Sequence, residues 1–173
     1  MNKFRTALLL FFLFQLGTAQ NKTVVTMKSH VMKMMEQISD NGSFTRSIFK
    51  ENMVAIELLR KAADLPALRM SDTNKAVVKS IKRAAYNELL QEDHQAIIET
   101  ATSFNINWKK VRFEDFLYKS KALFKLGQPG FEGLLIFKDK TQKDILFTLR
   151  VDFIMLGTDP YILEIDDLKK VLK

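Results

Sequence analysis

The chain has 173 residues, a formal net charge of +7 and 47% hydrophobic residues, which suits a folded domain with a sizeable core. It has no cysteine, which excludes disulfides, Cys-based zinc sites and thiol catalysis and leaves packing to hold the fold. The positive balance is mild and spread along the chain, so it gives no nucleic-acid footprint.

Lys3 and Arg5 precede the apolar run Ala7 to Leu16, and Gly17-Thr18-Ala19 follows. A charged start, an apolar middle and a small-residue exit form the layout of a secretory signal peptide over residues 1–19. Gly17 and Ala19 occupy the −3 and −1 positions, so cleavage is expected before Gln20. A membrane anchor needs about 20 apolar residues, and this run stops short of that. Residues 20–173 are then expected as one α+β domain, with 20–104 mainly helical and 105–173 mainly β. An exported chain without cysteine points to a bacterial periplasmic or secreted protein. That location sets nucleic acid aside as a partner. No stretch after residue 19 is long and apolar enough to span a membrane.

The first helix is expected from about Thr23 to Asp40. Val24, Met27, Val31, Met34 and Ile38 recur at helical spacing and draw one apolar stripe. Asn41-Gly42 supplies a left-handed stop. Met27, Met32, Met34 and Met35 crowd this segment; they are either core packing or an adaptable apolar face, with Met34 and Met35 as its ligand candidates. A second helix is expected from a Ser43 or Thr45 cap to Leu65-Pro66. Ser71-Asp72 caps a third stretch, whose buried row is read as Val78, Ile81, Ala85 and Leu89. Lys75, Lys79, Lys82 and Arg83 line another face of it, as a solvated face or a basic patch for anionic lipid or glycan. Around Gln91 to Gln95 the periodicity weakens, which fits either one long helix or a break before Ala96.

From Trp108 the period shifts towards 2. Trp108, Val111 and Phe113 open a strand, but Phe116 falls on the opposite parity. Tyr118 to Leu126 alternates with lysines as a half-buried strand. Gly127-Gln128-Pro129-Gly130 is a turn, 133–138 an apolar strand and 139–142 a polar hairpin connection. Residues 144–156 form the longest strand, with Ile145, Phe147, Leu149, Val151, Phe153 and Met155 on one face. After a turn at Gly157 to Pro160, Tyr161, Leu163 and Ile165 make the last strand. Asp166 to Lys173 is read as a polar tail or helical turn.

The expected fold is α+β: N-terminal helices packed on one face of a C-terminal antiparallel sheet of about four strands. In element order over Lys75 to Ile165, the chain resembles cystatin-like and NTF2-like exported domains, in which helices nestle in a curved sheet. No family motif accompanies the resemblance, so it implies a fold and no active-site residue.

No Gly-rich phosphate loop, GxSxG elbow or paired-His spacing is present, so no cofactor and no metal are expected. His30 and His94 read as surface or boundary residues. Arg150 and Asp152 share the second face of the longest strand with Leu146, Thr148, Ile154 and Leu156. They are the candidate anion clamp and the candidate base whose pKa rises on burial, or else a surface pair. The favoured function is a non-enzymatic binding module of the cell envelope, partnered by an envelope protein or an apolar small molecule. The alternatives are an NTF2-like pocket enzyme using Asp152 and Arg150, and a structural protein that self-associates through Leu146, Ile154 and Leu156.

Overall fold

The computed structural model describes residues 2–68 and 70–172, with side chains from Lys22 to Leu68 and Met70 to Val171. The expected signal segment, 1–19, lies outside the residues whose side chains are described. Five helices precede a four-stranded antiparallel meander: α1 (Asn2–Asn41), α2 (Arg46–Asn52), α3 (Ile56–Ala63), α4 (Asp72–Ser80), α5 (Arg83–Ser103), β1 (Val111–Lys121), β2 (Gly130–Asp139), β3 (Ile145–Leu156) and β4 (Asp159–Leu172). The strands lie in chain order across the sheet. The helical first part, the strand-rich second part and the α+β class are those read from the pattern. Among the described residues, no helix is long and apolar enough to cross a membrane.

The stripe on α1 faces the sheet. Met27, Val31, Met34 and Ile38 have no exposed surface, and Met35 has 3%. Gly42, at φ +71°, ends the helix in the left-handed conformation that glycine tolerates best. Opposite lie Phe137, Phe147, Leu149, Val151 and Phe153, all buried. The Phe147 ring stacks on Phe137 at 5.5 Å and tilts against Phe104 at 6.2 Å.

The expected helix over 43–65 is two helices. Thr45 caps α2 by accepting the Ile48 N–H, at 3.3 Å. Met53, Val54 and Ala55 then leave the helix, because Val54 N donates to the Ile162 carbonyl of β4 at 2.8 Å. A strap on the sheet edge replaces a helical turn. The row Val78, Ile81, Ala85, Leu89 also requires correction. The helix breaks at Ile81-Lys82, Ala85 is exposed and Leu89 is 51% exposed. The buried row of α5 is Leu90, Ile97 and Ala101, and α5 runs unbroken through 91–95. His94 fills the gap in that row. Its Nε2 lies 2.7 Å from the Phe44 carbonyl, and its ring meets the edges of Phe44 and Phe49. A hydrogen-bonded polar residue at a core-facing position made the apolar periodicity look broken.

Three bulges correct the strand readings. Glu114 is an extra residue in β1, between Phe113 opposite Phe137 and Asp115 opposite Ile136. It flips the parity and returns Phe116 to the core face. The strand ends at Lys121, not Leu126. In β4 the register slips near Leu163 and again near Asp167. Ile162 and Ile165 are therefore the buried pair, rather than 161, 163 and 165 together. The segment read as a tail continues β4, with Lys169 opposite Thr148 and Val171 opposite Leu146.

A second, smaller core joins Val54, Ile56, Leu59, Ala63, Met70 and Val78 to Leu126, Leu156, Tyr161 and Leu163. It anchors α3 and α4 to the turn end of β3 and β4.

Candidate functional site

The helices α1 and α5 lie on the core face of the sheet, and α3 and α4 reach its turn end at Leu156, Tyr161 and Leu163. Arg150 and Asp152 lie on the opposite face, where Arg150 lines a shallow cleft with Leu117, Glu132, Leu134 and Asp167. Across the strand, Arg150 faces Asp166 in register. Its Nε donates to Asp166 Oδ1 at 2.6 Å, and the guanidinium also engages Oδ2. Asp152 is the more distant neighbour, 3.8 Å from Arg150 Nε.

Asp152 is 2% exposed on a face expected to be wet or pocket-lined. The connection 122–129 covers it. Gly130 has no side chain to keep the Phe124 ring off this face: an added Cβ would stand 2.5 Å from Phe124 Cδ1. Lys125 follows, with Nζ 3.5 Å from Asp152 Oδ2 and paired to Glu164. Asp152 Oδ1 accepts the Gly133 N–H at 3.3 Å. Burial pushes the Asp152 carboxyl up, against the opposing pull of Lys125 and Arg150. Five charges thus clamp a loop to the sheet, bonded to one another and, through Asp152, to the Gly133 N–H.

Met34 and Met35 are core residues and line neither of the clefts described next. The basic row is largely neutralised by acids in the fold: Lys75 pairs with Asp72, Lys79 with Asp64 and Arg83 with Glu57.

Two clefts flank the strap Met53 to Ala55, each about 530 Å³, within the usual small-molecule range of about 300–1,000 Å³. The strap is held from both sides, by Val54 N to Ile162 and by the Tyr86 hydroxyl to the Val54 carbonyl at 2.7 Å. The cleft towards α5 is lined by Ser47, Lys50, Glu57, Arg83, Asn87 and Leu90, among others. Glu57 and Arg83 close on each other there at 2.6 Å. The cleft towards α1 carries His30, Lys33, Gln37, Asn52 and Tyr161 over a floor that includes Met53, Leu58 and Ile162. His30 lies along the Phe153 ring at 6.4 Å. Partial burial and then the Lys33 charge push its pKa down. Sequence reasoning placed His30 beside the stripe. It missed the clefts, because they arise where a strap leaves a helix.

No family model matches the chain, and no curated protein matches it. Among solved structures, one described as a "PatG Domain of Unknown Function" is similar at 14% identity and a TM-score of 0.27. The match covers 69% of this chain and 50% of that one, so this chain spans about half its length. The likeness is too slight to define a shared fold.

Proposed function

We propose that this chain is an exported, non-enzymatic binding module of the bacterial cell envelope, and that it holds an apolar small molecule beside the Met53–Ala55 strap. The observation that carries this reading is the α1-side cleft, which joins an apolar floor to polar groups on one wall. Around both clefts several polar side chains are committed to structural bonds: Tyr86 to Val54, Arg83 to Glu57, Glu51 to Ser47 and Asn52 to Gln37. Such commitments favour a fixed receptor over acid–base chemistry. Export rests on the layout of residues 1–19, and a cystatin-like or NTF2-like relationship rests on element order alone.

A thermal-shift panel of fatty acids, alcohols and peptides tests binding. A rise in Tm with an amphiphile supports the reading, and a flat response across the panel removes it. Mass spectrometry of the exported protein tests the address, with Gln20 expected at the N-terminus and an intact Met1 counting against export.

A second reading, self-association through the sheet face opposite the core, has its own support. Leu117 is 51% exposed, Leu134 37% and Val171 42%. These replace the trio Leu146, Ile154 and Leu156, because Ile154 is fully buried and Leu156 packs in the second core. Concentration-dependent sedimentation supports this reading, and a strict monomer at high concentration ends it.

A further inference from the structure

We infer that the ligand of the α1-side cleft is a monocarboxylate with an apolar tail, its headgroup held by Lys33 and His30 and its tail laid on Met53, Leu58 and Ile162. This rests on the proposal that the cleft binds a small molecule, and it adds the chemistry of that molecule.

The two clefts differ in how their charges are paired. Towards α5, Arg83 and Glu57 pair at 2.6 Å, and Lys50 also lines that cleft. Towards α1, Lys33 has no carboxylate within ion-pair distance among the described residues. The one acid of that lining, Glu51, accepts from Ser47 Oγ at 2.8 Å. Ser47 lines only the neighbouring cleft, which draws the carboxylate to that side. The α1-side wall therefore carries Lys33 as an unpaired cation, with the Glu51 carboxylate turned towards Ser47.

The remaining polar groups suit a single anion. Gln37 Oε1 accepts from Asn52 Nδ2 at 3.0 Å, which leaves the Gln37 NH₂ as a donor. Tyr161 adds a hydroxyl to the lining. One unpaired cation with neutral donors, and a carboxylate already in the lining, suit a monoanion better than a dianionic phosphate. Below them, Met53, Val54, Leu58 and Ile162 form the apolar part of the lining.

His30 supplies a signature. The charged and titratable groups lining its cleft are Lys33 on α1, Glu51 on α2 and Tyr161 on β4, with Phe153 stacked on its ring. Lys33 opposes its protonation. A carboxylate placed between the two reverses that opposition. Binding then takes up a proton and tightens as pH falls through the His30 titration.

The test titrates the purified protein with sodium octanoate, 1-octanol and octylammonium chloride by calorimetry, and follows the His30 Cε1–H resonance with pH. Octanoate is expected to bind about tenfold more tightly than octanol, with octylammonium weakest. Saturating octanoate should raise the His30 midpoint by about one pH unit, as an anion within reach of an imidazole does. Lys33→Met should reduce octanoate to the affinity of octanol and leave octanol unchanged. Lys33 is exposed on α1, so the variant should fold. Equal binding of octanoate and octanol, or an unmoved His30, overturns the headgroup assignment and leaves the cleft standing. Binding of none of the three removes the cleft and this inference with it.

Discussion

The Tyr86 hydroxyl donates to the Val54 carbonyl at 2.7 Å across 32 residues of sequence, and so fixes α5 to the strap between the two clefts. Burial, helped by Asp93 and Glu57, pushes the Tyr86 phenol up to about 12. A raised pKa means that the folded state holds this proton more tightly than the unfolded chain. The stabilisation is complete below about pH 10, the unfolded value, and is lost as pH rises through about 12. Tyr86→Phe should cost about 1–2 kcal/mol at neutral pH by leaving the Val54 carbonyl unpaired. It should also flatten the alkaline decline in Tm. An unchanged Tm at pH 7 would show that the bond does not hold the strap.

Asp139 behaves in the opposite way. It is 1% exposed and accepts the Asn107 N–H at 2.7 Å, the Thr141 N–H at 2.8 Å and the Thr141 hydroxyl at 2.7 Å. Burial alone raises its pKa, but these bonds outweigh burial and hold it below the usual carboxylate range. Its contribution is present above the unfolded value near 3.9 and is lost as pH falls through the lower folded value. Asp139→Ala should cost about 2–3 kcal/mol at pH 7 and make the protein less sensitive to acid. Equal acid sensitivity in variant and parent would contradict the assignment.

Phe147→Ala should destabilise by about 3–5 kcal/mol, since the ring is fully buried between Phe137 and Phe104. Lys121→Ala removes only a partly exposed pair with Glu132 at 3.2 Å and should cost under about 1 kcal/mol. Chemical denaturation of both variants checks the register of the sheet, and similar midpoints would mean that it is wrong.

The charge cluster makes a comparative prediction. Arg150 and Asp166 form a two-pronged pair, whereas Arg150 and Asp152 approach only to 3.8 Å. Double-mutant cycles with Arg150→Met should give a coupling of about 1 kcal/mol to Asp166→Leu and near zero to Asp152→Leu. A larger coupling to Asp152 would reinstate the couple drawn from strand spacing alone.

The class of fold was legible because period and order carried it. The stripe Met27 to Ile38 and the row Phe147 to Phe153 are long runs at one spacing, and each buries as its period requires. What failed to show was every place where tertiary pairing interrupts a period. Glu114, Leu163 and Asp167 are extra residues whose effect on parity depends on the partner strand. Val54 leaves a helical pattern for a bond to Ile162, a partner more than a hundred residues away. Asp166 escaped notice beside Arg150 because cross-strand register cannot be read along one strand. The clefts share that cause.

The most direct measurement is a ¹⁵N-resolved chemical-shift map of the protein with 1-octanol, whose uncharged headgroup isolates the cleft from any electrostatic preference. Perturbations should concentrate on the amides of Lys33, Asn52, Val54, Leu58 and Ile162, around the α1-side cleft. Shifts confined to Leu117, Leu134 and Arg150 would instead place binding on the sheet face opposite the core, and no shifts at all would contradict a small-molecule site beside the strap.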